Sequence, residues 1–318
     1  GRGALFEKLP GGAPRPRAVL NRLRAHLAGV IRREMPEREG PLLNTILLGW
    51  RGEMDPEDEL AFTRTGAGHL LAVSGIHVML LVGAVWWLLR TLGLRPRPAA
   101  LLLVIFALAY AQLAGGRTPV IRATTMACLL LGGILLGREA DGPNSLAAAA
   151  VLILAVWPRE LFSVGFQMSF AAVLFIMGAV PVLEDAAAGL RRFPVKLSTD
   201  AGLRTRSRVA RWLRLSAFSS LAATAGTMPL VVGTFGVICP WAPLVNMFAI
   251  PAAGASLAGG LALLAIGAPL PVLARVPAAL CWGALRALET IVELARELPG
   301  SAVNANSPPP ALVGAYYV

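Results

Sequence analysis

Long apolar runs separated by short polar segments occupy most of the chain after about residue 70. A bilayer core of about 30 Å takes about 20 helical residues to cross, and the runs lie at about 70–89, 99–114, 119–137, 145–157, 162–183, 215–238 and 243–268. The run at 145–157 is short for a crossing, so it is either re-entrant or extended by its neighbours. The pattern predicts an all-α fold, a polytopic membrane helical bundle of about seven to eight spans with some short or broken helices.

Two further segments are apolar on one face only. Between Val19 and Ile31, apolar residues recur at helical spacing with arginines between them. This is typical of an amphipathic helix on a membrane surface, and packing on a soluble neighbouring domain is the alternative. The segment 275–298 is an eighth apolar element with four charges on one side, and whether it crosses the membrane stays open. We therefore expect a linker and amphipathic interfacial helix at 1–40 and a transmembrane domain at 41–318.

Composition agrees with a membrane protein. Apolar residues make up 56% of the chain, charged residues 15%, and the mean hydropathy is +0.66, whereas soluble domains carry about a quarter charged residues. A GC-rich genome explains the arginine-rich net charge of +11 as well as a polyanion partner does. The chain begins at Gly1 without a signal sequence, so we expect a segment of a longer protein. Three scattered cysteines and three histidines predict no metal site, disulfide framework or cofactor.

Loop charge predicts an orientation. The loop at 90–98 carries three arginines, and the loop at 184–214 carries eight basic residues: Arg191, Arg192, Lys196, Arg204, Arg206, Arg208, Arg211 and Arg214. Four apolar elements separate the two loops, so alternation places both on one side. The positive-inside rule makes that side cytoplasmic, which places the N-terminal segment outside.

The first span begins with an unusual group of polar residues, His69, Ser74 and His77, with Gly75 among them. Polar groups in a span are costly unless they face protein or water. Ser74 and His77 are three residues apart, so in a helix they share a face. Gly75 lets another backbone approach closely or lets the helix break. A water-filled path, a reaction centre and simple packing between helices each explain this group.

Other spans also contain polar groups. Arg122 lies near the start of the third span, where snorkelling to the interface is the alternative to a functional role. Gln167 and Ser169 lie deeper in the fifth span, and Asn246 precedes Pro251 in a span that we expect to be broken. Taken singly, each of the smaller polar groups suits helix packing. Together they indicate a conducting or transporting protein, and the lack of Asp or Glu deep in these spans favours an anionic or hydrogen-bonding cargo.

These motifs resemble the DNA-internalisation competence proteins of the ComEC type. The matching blocks follow the family's order over about residues 40–270: Gly49 with the acidic turn after it, Phe62–Gly66, His69–His77, Arg117–Arg122 followed by Met126, Gly165–Phe170 and Asn246–Pro251. The blocks are specific together, although each one alone is weak.

The resemblance implies a multi-pass channel of the bacterial cytoplasmic membrane that takes up single-stranded DNA during natural transformation. Carried over, Ser74, Gly75 and His77 line or shape the path, with Arg122, Gln167 and Asn246 nearby and with His69, Arg117 and Ser169 as further candidates. Implied partners are the lipid bilayer, a cytoplasmic helicase-like ATPase and an external DNA receptor, with a homo-oligomer as an open alternative. The family's OB-like and metallo-β-lactamase-like domains are not visible in this sequence, and neither a nuclease motif nor a Walker motif is present, so we expect no enzymatic activity in this segment.

Two alternatives from other classes stay open. One is an intramembrane serine hydrolase or protease in which Ser74 attacks and His77 acts as base. The other is a small-molecule exporter.

Overall fold

The computed structural model describes residues 15–318 except 51, 53, 72, 74, 117, 139–141, 191–200, 268–270, 307 and 318. Almost all of this part is helical, which confirms the predicted all-α class. The helices are α1 Arg15–Glu34, α2 Glu39–Leu43, α3 Pro56–Arg64, α4 Gly75–Thr91, α5 Pro96–Leu113, α6 Thr118–Leu135, α7 Gly142–Val156, α8 Val164–Leu190, α9 Ala201–Phe235, α10 Ala242–Gly267, α11 Arg275–Glu297 and α12 Pro310–Tyr316. A π-helical turn, Asn44–Leu48, continues α2, and the strands β1 Val237–Ile238 and β2 Val303–Asn304 pair antiparallel.

Each of the seven predicted apolar runs forms a helix, α4 to α10. Five of them are long and apolar enough to cross a membrane: α5, α6, Val164–Ala187 of α8, Ala210–Phe235 of α9, and α10. The other two, α4 and α7, have 17 and 15 residues and are apolar but shorter. The chain is therefore a multi-pass membrane protein, and the segment near 145–157 is short, as predicted.

Three boundaries differ from the prediction. The first span does not begin at 70, because a 3-10 turn at Gly68–Leu70 precedes α4, which begins at Gly75. The supposed loop at 184–214 is helical at both ends, since α8 runs to Leu190 and α9 begins at Ala201. Arginine, leucine and alanine are good helix formers, so a run of positive charge does not end a helix.

Prolines break neither the span with Pro251, in which we expected a break, nor the span with Pro229. Helix α10 continues through Pro251 and α9 through Pro229. A proline removes the hydrogen bond to the carbonyl four residues earlier, which for Pro229 is the carbonyl of Ala225. The Tyr316 hydroxyl donates to that oxygen over 3.1 Å. The C-terminal segment thus supplies the donor that the helix lacks.

The same C-terminal segment contacts both α8 and α9. The Tyr317 hydroxyl donates to the carbonyl of Gly226 over 2.7 Å, and both tyrosine rings contact the Phe175 ring. A β-carbon on Gly226 would lie only 2.6 Å from Phe175 Cγ. Helices α8 and α9 therefore approach as closely as they do because residue 226 is glycine.

Helix α10 lies at the centre of the largest core cluster, with α11 antiparallel along its length. A β-carbon on Gly267 would lie 3.2 Å from Ala274, and one on Gly259 would lie 3.1 Å from Cys281. At the other end, the Trp241 indole donates to the Pro299 carbonyl over 3.0 Å. The end of α11 therefore lies beside the start of α10.

Helix α1 contacts the C-terminal ends of two spans. The Arg24 guanidinium donates to the carbonyls of Gln112 and Leu113 at the end of α5. Six residues later, Val30 lies against Gly267 at the end of α10. Six helical residues extend about 9 Å, so the contact points of Arg24 and Val30 on α1 are close together. If the seven runs alternated strictly, the end of α5 and the end of α10 would lie on opposite sides of a bilayer core of about 30 Å. Strict alternation is not compatible with this packing, and the side that each loop faces stays a prediction.

A group of charged residues joins α2 to α11. The carboxylate of buried Glu39 lies 3.6 Å from Arg286 Nε, and Arg286 Nη1 lies 3.2 Å from Glu289 Oε2. Burial raises the pKa of Glu289, and the hydrogen bond from Arg286 lowers it by less. Nearer the surface, Arg38 pairs with Glu293 over 2.9 Å. These charges fix the N-terminal segment against the polar half of α11.

Candidate functional site

The start of α4 holds the residues on which the functional hypothesis first depended. His69 lies in the 3-10 turn, where its side chain is exposed and its Nδ1 is 3.1 Å from the Gly66 carbonyl. Gly75 opens the helix, and a β-carbon there would lie 3.2 Å from Ala123 Cβ of α6. His77, one turn on, is fully buried. Ser74 lies outside the described residues, so its predicted pairing with His77 is not tested, and the serine hydrolase alternative stays a prediction.

Arg122 on α6 is held by groups that lie before and at the start of α8. Its Nη1 lies 3.2 Å from Glu160 Oε2, and its Nη2 donates to the Gly165 carbonyl over 2.8 Å. The Ser163 hydroxyl donates to the same Glu160 oxygen over 3.0 Å and accepts from the Phe166 backbone N–H over 3.2 Å. This network fixes the start of α6 to the start of α8.

The burial of Arg122 rules out snorkelling, since only 3% of the residue is exposed. Its charge is neutralised by Glu160, whose side chain is 20% exposed. Sequence reasoning missed Glu160 because it searched the spans for carboxylates, and this one lies in the 3-10 turn Pro158–Phe162 between α7 and α8. The available signal was the short connection between α6 and α7: two helices joined in this way pack antiparallel, so the turn after α7 lies near the start of α6.

Gln167 and Ser169 lie on α8 and are both half-buried. The Gln167 amide donates to the Leu161 carbonyl over 3.1 Å. This bond joins α8 to the turn that carries Glu160, so Gln167 helps to stabilise the conformation of the turn. Ser169 lies two residues further into the helix.

Several deeply buried polar atoms have no hydrogen-bond partner among the described residues. They are Nε of Arg122, Oγ1 of Thr124, Oγ of Ser220 and Oδ1 of Asn246, and each residue is at most 8% exposed. Buried polar groups are almost always paired with protein or water, so these atoms on α6, α9 and α10 are candidates to bind water or another polar group. Thr124 and Ser220 were not predicted, because a single hydroxyl in a span has no distinguishing sequence signal.

Helix packing brings part of the predicted set together. Gly75 of α4 meets Ala123 of α6, and the neighbouring Arg122 binds Gly165 of α8. Asn246 lies on α10, which packs against α4 and α9, and no hydrogen bond among the described residues joins it to Arg122. The site is therefore a polar layer near the starts of α4, α6 and α8, and no described contact joins Asn246 of α10 to it.

The predicted basic loop is only partly described. Arg214 donates through Nε and Nη2 to Glu184 Oε1, both over 3.0 Å, and Arg211 is exposed. Arg204, Arg206 and Arg208 lie in the first turns of α9. Four predicted residues lie outside the described residues: Arg117, Arg191, Arg192 and Lys196. Of the described part of this basic segment, Arg214 serves to pair α9 with α8.

In the described part of the chain, no group of three His, Cys, Asp or Glu side chains is close enough to hold a metal ion. What the polar layer offers is hydrogen bonding by amide, hydroxyl and guanidinium groups, with one arginine charge already balanced. Such a lining suits a solute that is both polar and able to accept hydrogen bonds.

Comparison with known proteins identifies the family of the chain. ComE operon protein 3 of Bacillus subtilis (strain 168) is 26% identical over 173 residues, which cover 54% of this chain and 22% of that protein. An uncharacterized protein of Aquifex aeolicus (strain VF5) is 32% identical over 197 residues, which cover 61% of this chain and 45% of that protein. The matched region thus spans less than half of either relative. No solved structure matches. A family model described as "Competence protein" matches residues 46–318, and the chain belongs to the competence protein family.

Proposed function

We propose that this chain is the membrane part of a DNA-uptake system and that it passes one strand of DNA across the bacterial cytoplasmic membrane. Membership of the competence protein family supports a role in DNA uptake. The observation that carries the channel proposal is the set of buried polar atoms without protein partners on α6, α9 and α10. In our proposal these atoms belong to the lining of the route that a hydrated solute would take.

The physical demands of single-stranded DNA fit this lining in part. The bases offer donors and acceptors that amides and hydroxyls can meet, whereas the phosphates require positive potential. Arg122 gives little net charge because Glu160 balances it. The phosphates would therefore be attracted mainly at the ends of the route, where the basic start of α9 and its preceding segment are candidates.

Partners follow from the same proposal. A helicase-like ATPase on the cytoplasmic side would pull the strand, and an external DNA receptor would deliver it. Assembly into a homo-oligomer stays an alternative to a path within one chain.

The test is translocation of a fluorescent single-stranded oligonucleotide into vesicles that contain the full-length protein, with external nuclease removing what stays outside. Asn246→Ala should lower the rate severalfold, because it removes a buried amide from the lining. Ser256→Ala on the same helix is the matched control, since its hydroxyl is already bonded to the Ala253 carbonyl over 2.9 Å. Vesicles that admit a small dye but no oligonucleotide would contradict the proposal, and so would equal rates for the two variants.

A further inference from the structure

A groove between α1 and the end of α10 combines positive charge with apolar surface. It encloses about 320 Å³ and is lined by His26, Gly29, Val30, Arg33, Glu34 and Gly267. We propose that this groove binds the phosphate headgroup of an anionic phospholipid. The inference is independent of the DNA path, which involves other residues.

The positive side of the groove follows from helical spacing. Arg22, His26, Gly29 and Arg33 are separated by four, three and four residues, so they form one stripe along α1. All four are exposed, and Arg33 makes no ion pair with another residue in the part of the chain that the structure describes. Within the lining itself Arg33 is accompanied by the Glu34 carboxylate, so the excess positive charge comes from Arg22, which lies one turn beyond His26 on the same stripe.

Two glycines line the groove, and only one of them, Gly29, leaves open space. A β-carbon on Gly29 would meet nothing within 4 Å. A β-carbon on Gly267 would instead lie 3.2 Å from Ala274 Cβ and 3.9 Å from Val30 Cγ1. Gly29 therefore leaves space that a ligand can occupy, whereas Gly267 lets α10 approach its neighbours closely.

Exposed apolar residues lie, in the chain, beside and after the end of α10 that borders the groove. Ile266 is next to Gly267 in the chain, and Leu273 is next to Ala274, which contacts Gly267. Val276 and Leu280 follow Leu273 at helical spacing, and these two side chains are 68% and 69% exposed. The first half of α11, which begins just after the residue that contacts Gly267, thus presents an exposed apolar surface.

A phospholipid fits both surfaces at once. Its phosphate would meet His26 and Arg33, with Arg22 adding positive potential one turn beyond His26, and its acyl chains would cover the apolar face of α11. Val19 and Leu23 on α1 are also exposed, at 63% and 46%, so apolar and basic residues mix on this helix. A nucleic acid strand has phosphates but no aliphatic chains to cover these apolar residues, which favours the lipid as the ligand.

The experiment measures retention of phosphatidylglycerol by the full chain in native mass spectrometry, after purification from nanodiscs with and without this lipid. Arg33→Gln should weaken the apparent affinity about fivefold, the effect of one arginine near an anionic headgroup. Gly29→Leu should abolish retention by filling the groove. It should leave the thermal midpoint in zwitterionic nanodiscs unchanged or higher, because leucine favours a helix more than glycine does.

Arg64→Gln is the charge-matched control, since Arg64 is exposed at the end of α3 and away from the groove. It should bind the lipid as the unaltered chain does. Normal retention by both groove variants would overturn the proposal. Equal competition by soluble glycerol 3-phosphate would make the occupant a free phosphate, and loss of oligonucleotide binding with lipid retention intact would assign the groove to DNA.

Discussion

The Nη2 atom of Arg122 donates to the carbonyl of Gly165 over 2.8 Å, and the same nitrogen would lie 3.2 Å from a β-carbon on Gly165. The guanidinium therefore occupies the space that a side chain at 165 would take. Because Arg122 is also bonded to Glu160, it cannot move away without losing part of the network. The glycine in the Gly165–Phe170 motif is explained by this contact.

Gly165→Ala should therefore lower the free energy of unfolding by about 1–2 kcal/mol, as overfilling a packed site does. Gly178→Ala in the same helix is the control. A β-carbon there would meet nothing within 4 Å, so the change should be neutral or stabilise by up to about 1 kcal/mol. Thermal unfolding in detergent measures both, and equal destabilisation of the two variants would argue against the close approach at Gly165.

The Arg122–Glu160 pair predicts strong coupling between two residues 38 positions apart. Removing one partner of a buried pair leaves an uncompensated charge and costs about 3–5 kcal/mol. We expect Arg122→Gln and Glu160→Gln each to destabilise by the lower part of that range, because Glu160 is partly exposed. The double variant should lose clearly less than the sum of the two.

The Arg38–Glu293 pair is the control for that double-mutant cycle. Its side chains are 53% and 59% exposed, and exposed pairs contribute less than about 1 kcal/mol. Chemical denaturation of the four variants of each pair gives the two coupling energies. Similar couplings at both places would show that Arg122 and Glu160 do not form a buried pair.

The sequence predicted the helices well because membrane spans leave a strong signal. A run of about 20 apolar residues is rare outside membrane spans, and each of the seven runs became a helix. The errors lie where hydropathy carries no information. Arginine and alanine continue α9 far before its apolar part, and the helix runs through Pro229, with Tyr316 bonded to the carbonyl that the proline frees.

The candidate site was predicted less completely, because its geometry depends on contacts between distant residues. Arg122 was named, but no local pattern distinguishes a snorkelling arginine from one paired with Glu160. Thr124 and Ser220 became candidates only when the structure gave their hydroxyls no protein partner. Composition identifies which polar groups a span contains, and only packing identifies which of them remain unpaired.

The close contact between α8 and α9 gives a third prediction. A β-carbon on Gly226 would lie 2.6 Å from Cγ and 2.7 Å from Cβ of Phe175. These atoms are near the backbone, so the ring cannot rotate out of the way and the helices must separate. Gly226→Ala should destabilise the chain by about 3 kcal/mol, at the upper end for overpacking.

Gly233→Ala on the same helix is the comparison for Gly226→Ala. A β-carbon at 233 would meet nothing within 4 Å, so the substitution should leave the thermal midpoint unchanged or slightly raised. Protease protection of the C-terminal segment gives a second measurement, because separation of α8 and α9 should also release Tyr317 from the Gly226 carbonyl. Unchanged protection in Gly226→Ala would contradict the inferred dependence of the Tyr317 contact on the close approach of α8 and α9.

The buried carboxyl of Glu289 predicts how stability depends on pH. Glu289 lies on α11, outside the five candidate spans, and it faces Arg286, Arg38 and Glu39. Burial raises its pKa above the ordinary value of 4.5, and the neighbouring arginines offset this in part. A raised carboxyl pKa means that the folded state binds the proton more tightly than the unfolded state, so stability falls as pH rises.

The contribution of Glu289 is fully present below pH 4.5 and is lost as pH rises through the raised pKa. Glu289→Gln resembles the protonated acid, so it should match the unaltered chain at low pH and be as stable or more stable at neutral pH. Glu293→Gln, which removes an exposed carboxylate one turn away, is the control and should keep the pH dependence of the unaltered chain. Denaturation at a series of pH values checks this, and a Glu289→Gln variant that loses stability only at neutral pH would show that the bond to Arg286 outweighs the burial.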